Sequence, residues 1–167
     1  MKRWIIPVLL AALTAGCGNR AEKKATTDVL PDSLRIFTVV DSLAINPDLG
    51  ELQKIRYVGL IPAADCPGIR YDLTLWNQAF SGDGVYALVM TYIESDDGRD
   101  ISFYYSGRWG TLRGDVDDPD ASICQLYDNE RSQDTYLLRR GTDSLTLLTN
   151  DRQRIDSPLN YTITRVK

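Results

Sequence analysis

Ile69-Arg70-Tyr71-Asp72-Leu73-Thr74-Leu75-Trp76 sets apolar and polar residues in alternation. Successive side chains of a strand point to opposite faces, so Tyr71, Leu73 and Leu75 share one side while Asp72 and Thr74 share the other. The stretch reads as a strand with one dry face. The pattern recurs where Ile101, Phe103, Tyr105 and Trp109 alternate with Ser102, Ser106 and Arg108. Both stretches fit a sheet that packs one face and wets the other, which is typical of antiparallel pairing.

Working outward from this stretch, eight runs rich in Val, Ile, Tyr, Leu and Thr follow one another from Leu52 onward, near 55–61, 69–76, 85–94, 101–112, 122–127, 135–140, 145–149 and 161–166. Turn chemistry separates them: Ser81-Gly82-Asp83-Gly84, Ser95-Asp96-Asp97-Gly98, Asp117-Asp118-Pro119-Asp120 and Gly141-Thr142-Asp143. Parallel neighbours would need crossovers of a dozen residues or more, and no helical periodicity lies between these runs. The expected fold is therefore all-β, an eight-stranded antiparallel meander. Closing such a sheet on itself removes its edges and leaves an interior wide enough for side chains or one small ligand. Residues 85–93 are apolar on both faces and call for cover from another element, for which the segment 28–51 is available. Within that segment Pro31-Asp32 fits the start of a short helix, whereas Ile36-Phe37-Thr38-Val39-Val40 fits a strand.

The N-terminus has the composition of a targeting segment. Lys2 and Arg3 precede an apolar run, 4–15, that is too short for a bilayer span of about 20 residues and is interrupted by Pro7. The run ends in Leu13-Thr14-Ala15-Gly16-Cys17, which resembles the lipobox cut by lipoprotein signal peptidase. That resemblance implies a signal peptide over 1–16 and acyl chains, palmitate among them, on Cys17. Each buried methylene contributes about 0.8 kcal/mol, so such an anchor is effectively permanent. Residues 18–27 are small, polar or charged and read as a tether, giving a lipidated extension over 17–51 before the barrel at 52–167. Gly18 rather than Asp after the lipid cysteine goes with sorting to the outer membrane. The formal net charge is −4 and grows more negative once Lys2 and Arg3 are removed, which argues against nucleic acid as a partner.

Tyr57-Val58-Gly59-Leu60-Ile61-Pro62-Ala63-Ala64-Asp65-Cys66-Pro67-Gly68-Ile69 resembles the N-terminal domain of the NlpE lipoprotein family, whose pattern there is Y-x-G-x-x-P-C-A-D-C-x-G-I. Two further blocks agree in order: Gly107-Arg108-Trp109 is similar to the family's G-x-W strand, and Ile155-Asp156-Ser157-Pro158-Leu159-Asn160-Tyr161-Thr162-Ile163 to its closing I-x-S-x-L-N-Y-T-L. The resemblance implies a lipocalin-like barrel and a role in copper resistance or envelope stress. It marks Tyr57, Gly59, Pro62, Asp65, Cys66, Gly68, Trp109, Asn160 and Tyr161 as motif residues. Ala63 departs from the pattern, and the family's local cysteine pair is broken at that position.

Composition argues against chemistry. Copper favours sulfur and imidazole ligands; the chain has no histidine and, beside Cys17, keeps only Cys66, Cys124 and Met90 as soft donors past the leader. No metal site and no cofactor are expected. Cys66 and Cys124 form an even pair in an exported chain, which leaves open a disulfide that would add roughly 4 kcal/mol in the chain-entropy picture. Asp115, Asp117, Asp118 and Asp120 suit a solvated loop better than a calcium loop, since the glycine and glutamate positions of an EF-hand hold Asp120 and Leu126. Tyr86, Tyr92, Tyr104, Trp109 and Tyr161 suit barrel packing. Without a histidine base or a nucleophile elbow, enzymatic activity is not expected. The reading that results is a non-enzymatic, lipid-anchored envelope lipoprotein, working with an envelope protein partner in stress sensing or copper tolerance. The alternative is a carrier holding a small apolar ligand inside the barrel.

Overall fold

A computed structural model describes residues 39–128 and 133–167. Eight strands follow in chain order: β1 (Leu52–Ile61), β2 (Ile69–Gln78), β3 (Asp83–Asp96), β4 (Arg99–Arg113), β5 (Ser122–Leu126), β6 (Thr135–Arg140), β7 (Ser144–Leu147) and β8 (Thr162–Arg165). Each pairs antiparallel with the next, and β8 returns to β1 to close the barrel. The seam is short, with Tyr57 opposite Arg165 and Val58 opposite Thr164. A Cβ on Gly59 would sit 2.9 Å from the Ile163 backbone, so a glycine is what lets β8 approach here.

The meander puts alternate connections at opposite ends. At one lie the β1–β2 loop, the β3–β4 hairpin and the β7–β8 connection; at the other, the β2–β3 and β6–β7 turns and the chain's entry into β1. The β3–β4 hairpin turns on Asp97 (φ 50°) and Gly98 (φ 78°) between paired Asp96 and Arg99. Two positive φ values in a two-residue loop define the I′ turn that matches strand twist, and Asp-Gly is its preferred sequence.

Inward positions form one core: Tyr57, Ile61, Tyr71, Leu73, Leu75, Tyr86, Leu88, Met90, Trp109, Cys124, Leu126, Leu137, Leu145 and Ile163 are buried together. A second cluster, Ala121, Ile123, Leu138 and Leu148, lies on the outer side of the wall. Burial on both faces of β3 has a local cause. Outward Val85 lies across from Trp76, which is itself buried.

The described part of the N-terminal segment, 39–51, is fastened beside the barrel. Its hydrogen bonds run to the end of β2. The buried Gln78 amide accepts from the Asn46 N–H and donates to the carbonyls of Asn46 and Gly50, each at 2.8 Å. Between those residues Asn46 caps a 3-10 turn, Pro47–Leu49, by accepting from the Asp48 N–H. A helical turn over 39–41 replaces the strand that Val39 and Val40 favoured; the rest of that stretch, and the proposed helix start at Pro31-Asp32, lie outside the described residues.

Candidate interaction surface at the motif end

Eight of the nine motif residues fall on β1, the β1–β2 loop and the approach to β8, and sequence distance dissolves where these meet. Pro62 ends β1 and opens the loop. Cys66 turns its thiol back to the Gly68 carbonyl at 3.3 Å, while Gly68 is buried where a Cβ would meet Leu60 Cδ1 at 3.0 Å. From the other side Asn160 Nδ2 donates to the Leu60 carbonyl at 3.4 Å, and its Oδ1 accepts from the Thr162 N–H at 3.0 Å. Asn160 therefore ties the approach to β8 onto the end of β1. Tyr57 is buried in the barrel and Tyr161 packs against the core; Asp65 is exposed at the loop tip.

These contacts hold open a shallow cleft of about 320 Å³ lined by Leu60, Ile61, Pro62, Ala63, Pro67, Leu159 and Asn160. Its lining is mostly apolar and its walls face solvent, Leu60 being 52% and Leu159 58% exposed. Exposed apolar surface framed by fixed polar groups marks a contact site. Leu60 and Leu159 were not singled out in the sequence. The available signal was Leu60 itself, an apolar residue on the outward register of β1 shared with Arg56.

Trp109 does not join this cluster. It plugs the opposite end, where its indole N–H donates to the Trp76 carbonyl at 3.3 Å and the Arg139 guanidinium lies 5.3 Å from its ring centre. A cation over an aromatic face is a stabilising pair, and this one forms a floor to the barrel.

The cysteines are also apart. Both are free thiols, so the bridge left open by the sequence is not formed. Cys66 stands in the β1–β2 loop, whereas Cys124 is buried in β5, whose neighbours are β4 and β6. Burial pushes the Cys124 thiol up to about 12, with Arg139 acting in the opposite direction. Burial likewise raises the Tyr57 phenol, against the pull of Arg139 and Arg165. Met90 lies on β3, separated from Cys124 by β4, and the three soft donors occupy different elements. Among the described residues no group of three or more Cys, Asp or Glu converges on a cation position. Cys17 lies outside the described residues.

In the acidic loop the carboxylates bond the chain itself. Asp115 accepts from the N–H groups of Asp117 and Asp118, at 2.9 and 2.6 Å, and from Arg154 at 3.0 Å. Cover over Asp115 would raise its carboxyl, but the Asp118 N–H, Arg154 and the Asp117 N–H outweigh it and hold the group below its ordinary value. Arg154 thereby fastens the β7–β8 connection to the β4–β5 loop.

The family model of the NlpE N-terminal domain matches residues 57–158. The chain belongs to the NlpE family. The NlpE match opens at Tyr57 and ends just before Leu159 and Asn160, so it spans the barrel wall from within β1 to the far lip of the cleft. No curated protein and no solved structure gives a significant match. In this NlpE family member the motif thus does two separate jobs: the loop residues and Asn160 build an outward-facing cleft, and Trp109 closes the opposite end.

Proposed function

We propose that the chain is a lipid-anchored envelope lipoprotein of the NlpE class that acts without catalysis, presenting its motif-end cleft to another envelope protein in stress sensing or copper tolerance. Membership of an envelope-protein family supports the setting, and the lipobox at Cys17 supports the anchor, with outer-membrane sorting following from Gly18. The observation that carries the reading is the cleft: motif residues fix an exposed apolar surface at one end, while the interior beneath is occupied by Tyr57, Tyr71, Tyr86, Met90 and Trp109. That filling favours an interaction protein over a carrier of an apolar molecule.

The test is complementation. A strain lacking the chain should grow poorly under excess copper or envelope damage, and the wild-type chain should restore growth. Leu60→Arg with Leu159→Arg should not restore it, although both sites are exposed and the variant should reach the envelope in normal amounts. Full restoration by the double variant would sink the proposal. Cys17→Ala should abolish the acyl mass on the chain, read by mass spectrometry.

A further inference from the structure

The end opposite the motif cleft carries exposed apolar side chains of its own. Phe80, at the β2–β3 turn, is 79% exposed, and near it in the fold lie Ile45 at 60% and Leu52 at 45%. Phe80 is displayed rather than loose. Its N–H donates to the Leu49 carbonyl at 2.9 Å, the preceding Ala79 N–H donates to Glu51, and its ring lies over Gly50, where an added Cβ would come within 3.1 Å. Gln78 fixes the same segment from below through its three hydrogen bonds to Asn46 and Gly50. Single exposed apolar side chains are ordinary, but Phe80, Ile45 and Leu52 gathered at one end make the kind of grouped apolar surface that marks a contact.

The course of the chain bears on the cover. Residues 46–51 lead into β1 at this end, so whatever precedes them departs from here. Cys17 is joined to Ile45 by residues 18–44, at no more than roughly 3.3–3.6 Å each. A tether of that kind raises the local concentration of its attached surface at the anchor point, so even a weak apolar contact becomes populated. The exposed charges named nearby, Asp48, Glu51 and Asp83 against Lys54, are net acidic, which suits neutral headgroups better than anionic ones.

We infer that Phe80, with Ile45 and Leu52, forms a bilayer-facing foot that seats the barrel on a zwitterionic lipid surface and points the motif cleft away from the membrane. Aromatic and aliphatic side chains settle at the boundary between headgroups and acyl chains, and Phe80, Ile45 and Leu52 offer such side chains at this end. The inference rests on the anchoring of Cys17 given under the proposed function.

The experiment uses the mature, full-length lipidated chain in phosphatidylcholine vesicles whose acyl chains carry bromine near the headgroup. Phe80→Trp and Leu159→Trp replace exposed side chains at the two ends, and the unsubstituted protein supplies the background from Trp76 and Trp109. Phe80→Trp should shift its emission to the blue and lose at least twofold more intensity to bromine than Leu159→Trp. Equal quenching at both ends, or none at Phe80→Trp in protein that floats with the vesicles, overturns the foot and leaves the anchor standing. Protein that neither floats nor carries acyl mass on Cys17 overturns both.

Discussion

Two thiols in one chain meet opposite environments. Cys66 stands half-buried in a surface loop, whereas Cys124 is fully buried and its thiol is pushed up to about 12. Since the thiolate is the reactive form, the folded mature chain, with Cys17 acylated, should at pH 8 consume one equivalent of an alkylating reagent quickly and a second only after unfolding; consumption of none after unfolding without reductant would restore the disulfide. The raised value also sets a pH dependence. The unfolded thiol ionises from about 9, so stability from keeping Cys124 protonated is complete below that pH and falls as pH climbs towards 12. Gly84 is a harsher case. An added Cβ would lie 1.9 Å from the Trp76 carbonyl and 2.9 Å from the Trp109 indole nitrogen, so Gly84→Ala should cost about 3 kcal/mol or more in urea unfolding. Composition alone marked Gly84 as a turn residue, because a glycine needed for a neighbour's approach looks the same in sequence as one needed for its own backbone.

Strands were legible because their period is local. All eight lie where alternation and turn residues put them, and the Asp97-Gly98 turn follows from its two residues. What was not legible depends on partners far along the chain. The hold of Gln78 on Asn46 and Gly50 spans up to 32 positions, and nothing in the sequence around Gln78 distinguishes it from a solvent-facing strand residue. Gln78→Ala removes a partner from three backbone groups, of which the Asn46 carbonyl keeps the Leu49 N–H, and should cost about 2–3 kcal/mol, read as a lower urea midpoint at unchanged slope. The Arg154 fastening spans 39 positions and is equally silent in sequence. Asp115 has its folded-state value below the unfolded carboxylate value of about 3.9. Its stabilisation is thus complete well above that value and disappears as pH falls through the folded one. Asp115→Asn should lower stability at neutral pH and flatten the acid limb of a stability curve; an unchanged acid limb would show that the carboxylate contributes nothing there.

At the scale of the molecule, the barrel separates two ends with different surfaces, and this division was legible in the sequence only in part. The motif pointed to residues around 57–69 and 155–163, yet only closure of the sheet brings Asn160 against Leu60 to build the cleft between them. The opposite end was not legible, since Phe80 reads as an ordinary hairpin residue until its ring is seen standing in solvent. Closure itself is fragile by design of the seam, where four-residue β8 meets β1 at two register pairs. Ending the chain after Tyr161 should leave β1 and β7 as open edges and convert the protein to sedimenting aggregate on refolding; a soluble monomer with native ellipticity would contradict this.

That seam also fixes an order in time. Tyr57 and Arg165 pair across the length of the barrel sequence, so while the chain emerges end first, no cylinder can close until the residues of β8 have followed the other seven strands. Pairing over such a separation is slow. During that interval the nascent sheet has two raw borders, and an escort that shields strand edges until the final residues arrive would raise yield more than any substitution in the finished core.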